Sequence, residues 1–177
     1  HMGSCAELCA SRYSFSREEQ DAFAERSYRR AQRAMEDGTF AAEITPVEVP
    51  GRRGQVTVVE QDEGPTQVDF EKMKGLRPAF EKEGTVTAAN ASTLNDGAAA
   101  LVVTTEEVAE QRGMPVLARV VGYAGSAADP EWFTTAPVAA MRRLYDQLGW
   151  QPKDVDVYEI NEAFSVVPMA AMKEFGL

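Results

Sequence analysis

Histidine is almost absent from this chain: the 177 residues hold one, at position 1. Cysteine is nearly as scarce, with only Cys5 and Cys9. These two absences exclude a disulfide scaffold and a Cys/His zinc site. They also restrict acid–base chemistry, because no Ser–His or Cys–His pair can form unless His1 supplies the imidazole. No stretch approaches the ~18 consecutive apolar residues of a membrane-spanning helix. Basic residues are outnumbered, 18 Lys+Arg against 28 Asp+Glu, for a formal net charge of -10. Such an acidic chain is a poor general binder of nucleic acid or anionic membrane, although one local basic site for an anionic ligand remains compatible with it. Aromatics make up only 8%, but the hydrophobic fraction of 44% is enough for a core and too high for a disordered chain.

The length suits one large domain or two small ones. The opening His1-Met2-Gly3-Ser4 reads, taken by itself, as a cloning scar. A chain that stops at Gly176-Leu177, directly after a helical pattern, reads as a fragment. Residues 4–11 are expected to form a short helix with Cys5 and Cys9 on one face. Ser16-Arg17-Glu18-Glu19 is a capping-box pattern. It opens a long helix with Phe23, Ser27, Ala31, Ala34 and Met35 on one face and Gly38 as its stop. A hairpin is expected from Ile44–Val49 and Gln55–Glu60, with Pro46 marking an edge strand. Residues 61–84 are polar and loop-rich, with one helical turn near Glu71–Lys74. From residue 85 the rhythm changes. Strands are expected at Thr85–Ala89, Gly97–Val103, Val116–Gly122 and Asp154–Ile160. Helices are expected at Thr105–Arg112, Pro137–Leu148 and Ala163–Phe175. This alternation predicts an α/β fold, a sheet with helices on its faces. The first 84 residues look like a separate, insertion-like lobe.

Three places invite chemistry. Asn161 follows an expected strand and precedes an expected helix, where an open α/β sheet faces its ligand crevice. There it can cap the helix, or aim its amide at a ligand or a bound water. On chemistry alone the cap is the simpler role. The 88–97 segment, Ala-Ala-Asn-Ala-Ser-Thr-Leu-Asn-Asp-Gly, joins two expected strands with small residues that let a ligand or ion approach the backbone. Its carbonyls could hold a monovalent cation, and the plainer reading is a connection ending in Asn-Asp-Gly turn chemistry. Cys5 sits near a helix N-terminus. With no base nearby, Cys5 and Cys9 read more simply as inert buried thiols. Trp132 and Phe133 line an apolar pocket or cover the core.

Taken together, HMGSCAE (1–7), SREEQDAFAERSY (16–28), LRPAFEKEGTVTAANASTLNDGAAALVV (76–103) and NEAF (161–164) resemble the thiolase family over essentially the whole chain. The TAANASTLND loop is most similar to the acetoacetyl-CoA thiolases (acetyl-CoA C-acetyltransferases) of the mitochondrial, potassium-activated type. It is less similar to long-chain 3-ketoacyl-CoA thiolases. The resemblance also makes His1-Met2-Gly3-Ser4 part of the family's own sequence rather than a scar. It implies a layered αβαβα fold represented by its central part. Residues 1–93 would be the later part of the loop domain, a lobe that binds coenzyme A. Residues 94–114 would be the last strand and helix of the N-terminal domain, and residues 115–177 the start of the C-terminal domain.

The resemblance further implies an acyltransferase that makes or cleaves acetoacetyl-CoA. The family's nucleophilic cysteine is expected upstream of this segment. Its Gly-His-Pro histidine and its Cys-x-Gly-Gly cysteine are expected downstream, so the 177 residues alone are expected to be inactive. Asn161 matches the asparagine that holds an oxyanion-hole water, which displaces the cap as its expected role. Gln67, Val68, Asp69, Lys72 and Ser92 match positions that contact coenzyme A, with Gln67 standing where close relatives often have Arg. His1 and Met2 match residues beside the pantetheine tunnel. Phe133 matches an acyl-pocket residue, and Phe164 of NEAF joins the substrate-binding set. Thr134 stands where the mitochondrial type has Pro, which weakens a claim for 2-methyl-branched substrates. Tyr28 and the carbonyls of Ala88, Ala89 and Ala91 match a potassium site, Tyr28 counting in the substrate-binding set as well. The expected ligands are acetyl-CoA, acetoacetyl-CoA and a potassium ion, with no redox cofactor. The expected partners are further copies of the chain, as a dimer or tetramer, with no nucleic acid and no membrane. The resemblance favours the mitochondrial matrix, with the cytoplasm as the alternative. The competing expectation is a truncated, catalytically dead relative kept as a CoA-binding or assembly module.

Overall fold

The computed structural model describes residues 1–177. It is built mainly from helices. Helix α1 spans Met2–Tyr13, longer at both ends than the expected 4–11. His1 caps it, with Nδ1 accepting from the Gly3 amide at 3.1 Å. Ser14, at φ 56, ends it in the left-handed region. Helix α2, Arg17–Glu36, starts as its sequence predicts. The Ser16 hydroxyl accepts from the Glu19 amide, and the Glu19 carboxylate accepts from the Ser16 amide. Gly38, at φ 66, follows its end.

Next comes a hairpin of β1, Val47–Pro50, and β2, Val56–Val59, in the antiparallel register Val47↔Val59 to Pro50↔Val56. It is shorter than expected, and both strands are exposed along their length. Two single-turn helices follow: α3, Glu63–Gln67, and α4, Phe70–Lys74. Sequence reading anticipated only the second. Helix α5, Glu106–Gln111, is capped by the Thr105 hydroxyl. A 3₁₀ stretch over Pro130–Thr135 leads into α6, Ala136–Leu148. Gly149, at φ 67, closes α6 as expected. Helix α7 is Val166–Phe175, three residues shorter at its start than predicted.

The expected strands behave differently. Within the chain the only sheet is the β1–β2 hairpin. Residues 97–103, 116–122 and 155–160 run without ladder partners. Most of their aliphatic side chains face outward, with Leu101 87%, Leu117 94% and Val157 80% exposed, whereas Ile160 is partly buried against the core. The expected strand at 85–89 is irregular backbone leading into a turn, although Val86 and Thr87 are buried. The physical reason is that an apolar run specifies burial, whereas a strand also needs a neighbour to receive its N–H and C=O groups. Segments 97–103, 116–122 and 155–160 find no such neighbour among these residues, and 85–89 bonds mainly to side chains instead.

The core is small and lies between α1, α7 and Val86. Ala6, Cys9 and Ala10 on α1 pack on Phe164, Val166, Val167 and Ala170 at the start of α7. Tyr13, Phe15, Phe80 and Phe133 lie against its edge. The Arg12 guanidinium stacks 4.6 Å over the Trp132 ring, tying the Pro130–Thr135 turn to α1. No helix is long and apolar enough to cross a membrane.

Candidate active site and its loops

Two loops that sequence reading singled out meet at the edge of this core. Ala91 and Phe164 form an isolated antiparallel bridge. The Ser92 amide donates to the Ala163 carbonyl at 3.0 Å, and the Ser165 amide donates to the Asn90 carbonyl at 2.9 Å. The small-residue loop and the NEAF segment are thus joined backbone to backbone, although about 70 residues separate them. On the outer side, the Ser27 hydroxyl of α2 donates to a Glu162 carboxylate oxygen at 2.6 Å.

Asn161 lies at the exposed start of that segment, five residues before α7. Its side chain makes no hydrogen bond within the chain. The residue at the helix-cap position is Ser165, whose side chain makes no cap bond either. The cap reading of Asn161 is therefore corrected: the helix it was to cap begins at Val166, because Ala163 and Phe164 are used in the bridge to the small-residue loop. Ser92, next to the bridge, is exposed at its side chain.

A row of rings crosses the same region. His1 lies 4.9 Å from Phe80, Phe80 stands edge-on to Phe164 at 6.0 Å, and Phe164 stands edge-on to Phe133 at 6.3 Å. The structure so brings His1, Phe133 and Phe164 together through a residue that sequence reading missed, Phe80. Its signal is sterically visible only in three dimensions. A Cβ on Gly3 would stand 2.1 Å from the Phe80 ring, so glycine there is what lets the ring lie against α1. Met2 is half exposed at the start of α1.

Gln67, Val68, Asp69 and Lys72 lie on the α3–α4 lobe and are not drawn into this cluster. Gln67 ends α3, exposed, and Val68 is half-buried. Asp69 caps α4: one carboxylate oxygen accepts from the Glu71 and Lys72 amides, and the other pairs with Lys72 Nζ at 3.0 Å. Those Lys72 bonds, backbone first, hold the Asp69 carboxyl below the usual carboxylate range. The Lys72 side chain is 83% exposed, and the other cation of this lobe, Lys74, pairs with Glu71. Tyr28 is half-buried on α2, while Ala88 is exposed and Ala89 and Ala91 are half-buried in the loop. No three His, Cys, Asp or Glu side chains converge anywhere as a metal cluster. That observation does not bear on a site made of carbonyls.

The cysteines sit apart from these loops as chemistry. Cys9 is fully buried, and burial pushes its thiol pKa up, outweighing the opposing influence of the neighbouring Thr134 and the Arg12 charge. A thiol so placed is a weak nucleophile. Two open grooves also lie away from the predicted residues. One runs between α2 and α7, lined by Phe15, Phe23, Met169 and Met172. The other is lined by Glu7, Glu81 and Glu83.

Residues 1–107 match the thiolase N-terminal domain and residues 114–177 the thiolase C-terminal domain. The chain is 50% identical to acetyl-CoA acetyltransferase 2 of Arabidopsis thaliana, over 99% of its own length and 44% of that protein's. Among solved structures, the acetyl-CoA acetyltransferase of Bacillus anthracis superposes with a TM-score of 0.95 at 43% identity, covering 99% of this chain and 45% of the other. A thiolase of Ascaris suum in complex with coenzyme A superposes with a TM-score of 0.92 at 43% identity, with the same coverage. The chain thus spans less than half the length of the relatives it matches. It follows their backbone closely, including the segments that lack ladder partners within it. The fold is therefore part of the thiolase fold, and the chain belongs to the thiolase family.

Proposed function

We propose that these 177 residues are the central part of an acetyl-CoA C-acetyltransferase, which makes or cleaves acetoacetyl-CoA. The observation that carries this reading is the backbone bridge between the 88–92 loop and the 161–164 segment. It puts Ser92, assigned here to coenzyme A, beside the segment that bears Asn161, assigned to the thioester oxygen. In the synthetic direction, the enolate carbon of one acetyl-CoA attacks the acetyl group carried as a thioester on a cysteine. A carbon–carbon bond forms and the cysteine thiolate leaves. Negative charge collects on the thioester oxygens as this happens, and a fixed donor beside them lowers the barrier. Asn161 is a neutral amide with both donor and acceptor, so it can orient a water toward that oxygen without repelling the charge.

Around this centre, His1, Met2, Phe133 and Phe164 line the acyl and pantetheine path. The 67–72 segment, with Lys72 as its cation, meets the nucleotide end of coenzyme A. Tyr28 and the carbonyls of Ala88, Ala89 and Ala91 take a potassium ion that stiffens the loop. The boundaries 1–93, 94–114 and 115–177 divide loop domain, N-terminal domain and C-terminal domain. The complete enzyme is a dimer or tetramer of the mitochondrial matrix, and its substrates are acetyl-CoA and acetoacetyl-CoA.

The 177 residues contain no Gly-His-Pro and no Cys-x-Gly-Gly sequence, and their two cysteines lie on α1. They are therefore inactive alone. The test is thiolysis of acetoacetyl-CoA by the full-length protein and by its Asn161→Ala variant. The variant should lose roughly 10²–10³ in kcat with a smaller change in KM. Its thermal stability should stay within about 0.5 kcal/mol, since Asn161 is exposed and unbonded. A full-length protein that binds coenzyme A but turns over no acetoacetyl-CoA would instead support a CoA-binding or assembly module.

A further inference from the structure

Asn90 is 3% exposed, yet it is polar, lies outside the residues assigned above, and makes four hydrogen bonds to three parts of the chain. Its Oδ1 accepts from the Thr87 amide at 2.8 Å. Its Nδ2 donates to Asp21 Oδ1 on α2 at 2.9 Å and to the Thr85 carbonyl at 3.1 Å. Its own carbonyl accepts from the Ser165 amide at the entry to α7. The Asp21 partner is itself fixed. Its other oxygen pairs with Arg17 Nε at 2.6 Å, and the Arg17 guanidinium donates to the Met73 and Leu76 carbonyls.

We propose that Asn90 is a positioning residue for acetyl transfer: it locks the 85–92 loop to α2 and to the NEAF segment, and so fixes Ser92 and Asn161 relative to one another. This rests on the functional reading given above. The site demands one acceptor facing the Thr87 N–H and two donors facing Asp21 and the Thr85 carbonyl. Among side chains of this size, only a carboxamide supplies both. Asp would turn a carboxylate toward the Asp21 carboxylate and the Thr85 oxygen, and Ala would leave the buried Thr87 amide unpartnered. A loop anchored at one end only could still fold. What it would lose is the fixed spacing between the two loops, and small misplacements of reacting groups are expensive in rate.

The experiment uses the full-length protein with Asn90→Ala, Asn90→Asp and the exchange Asn90→Asp/Asp21→Asn. Acetoacetyl-CoA thiolysis is measured per folded protein, and amide exchange is followed at Ser92 and Ser165. Asn90→Ala should raise KM for coenzyme A and lower kcat, each by about tenfold, as expected for misplaced groups. Exchange at Ser92 and Ser165 should quicken by about tenfold or more while mid-α2 amides are unchanged. Asn90→Asp should be at least as impaired. The double variant restores the donor–acceptor pair between positions 90 and 21 but leaves the Thr85 carbonyl without its donor, so it should recover part, not all, of the kcat that Asn90→Asp loses. Kinetics within about twofold of wild type in Asn90→Ala, with unchanged exchange at both serines, would overturn the proposal whatever happens to thermal stability. If the wild-type protein shows no thiolysis at all, the functional reading fails. The exchange data alone then decide whether Asn90 holds the two loops together.

Discussion

Two regions of this chain are rich in aliphatic residues and have opposite fates. Where α1 meets α7, Ala6, Cys9, Val166 and Ala170 are completely buried. Along 97–103 and 116–122 the valines and leucines stand in the open, as Val157 does further on. The difference is not in hydrophobicity but in where each region finds its partner. A helix satisfies its backbone within itself and needs only a face to pack on, and α1 and α7 provide that face for each other. An extended segment must find both a packing surface and a hydrogen-bonding neighbour. Relatives more than twice as long superpose on all these segments, so the extended backbone is set by the family fold and not by contacts within these residues.

The sharpest way to test this contrast is amide exchange on the 177-residue chain. Amides in α1 and α7 should exchange at least roughly 100-fold more slowly than those in 97–103 and 154–160, a gap of about 2.7 kcal/mol in local opening. Strong protection of 97–103 in a monomer would show that the chain has its own pairing partner for that segment, and the contrast would collapse.

Within the helical region, Glu7 is the polar link between α1 and the loop that starts at Thr85. Its carboxylate, on a side chain only 8% exposed, accepts from the Thr85 and Val86 amides at 2.8–2.9 Å and from the Thr85 hydroxyl at 2.9 Å. The chain passes close enough that a Cβ on Gly84 would stand 2.2 Å from a Glu7 oxygen. Glu7→Ala strands the buried Val86 amide and the partly buried Thr85 amide and should cost about 2 kcal/mol. Glu7→Gln keeps one acceptor and should cost about half as much. Chemical denaturation of the full-length protein measures both, and equal, negligible effects would mean that the loop does not depend on α1.

Gly3→Ala tests the apolar side of the same region. The added methyl meets the Phe80 ring, which must rotate away and disturb its packing on Phe164. Overpacking of this kind should cost about 1.5 kcal/mol. In the full-length protein it should also raise KM for acetyl-CoA, because His1, Phe80 and Phe164 move together. A variant with wild-type stability would mean that Phe80 has free space beside α1.

What was legible in the sequence followed the range of the interactions. The α2 start needs only Ser16 and Glu19, three residues apart, and the end of α6 needs only Gly149. Both are written locally and both were read correctly. The start of α7 was misplaced because Ala163 and Phe164 are held by Ala91, far away in sequence. The row His1–Phe80–Phe164–Phe133 was only partly visible for the same reason, since nothing near Phe80 marks it as the link. The loop and NEAF motifs were legible as a family resemblance. Their backbone pairing, and Asn90 as its anchor, were not.

The smallest expected effect lies at the outer end of the helical region, where Tyr13 of α1 reaches Glu174 of α7. The Tyr13 hydroxyl donates to the Glu174 carboxylate at 2.7 Å, and Arg142 of α6 pairs with the same carboxylate. Partial burial, then the Glu174 bond and charge, push the Tyr13 pKa from its usual 10 up to about 12. The sign follows from linkage. A phenol harder to ionise when folded stabilises the fold fully below pH ~10, and that contribution is lost as pH rises through about 12. Tyr13 is partly exposed, so solvent screens the pair, and Tyr13→Phe should cost less than about 1 kcal/mol at neutral pH. The buried Cys9 thiol, also raised, adds alkaline sensitivity of the same sign in both proteins. The deciding measurement is therefore a difference: stability of wild type minus Tyr13→Phe, followed from pH 8 to 12. A gap that shrinks above pH 10 places the Tyr13–Glu174 bond in the folded state. A gap that stays constant would mean that the phenol reaches water instead, and that α1 and α7 are held together by their apolar faces alone.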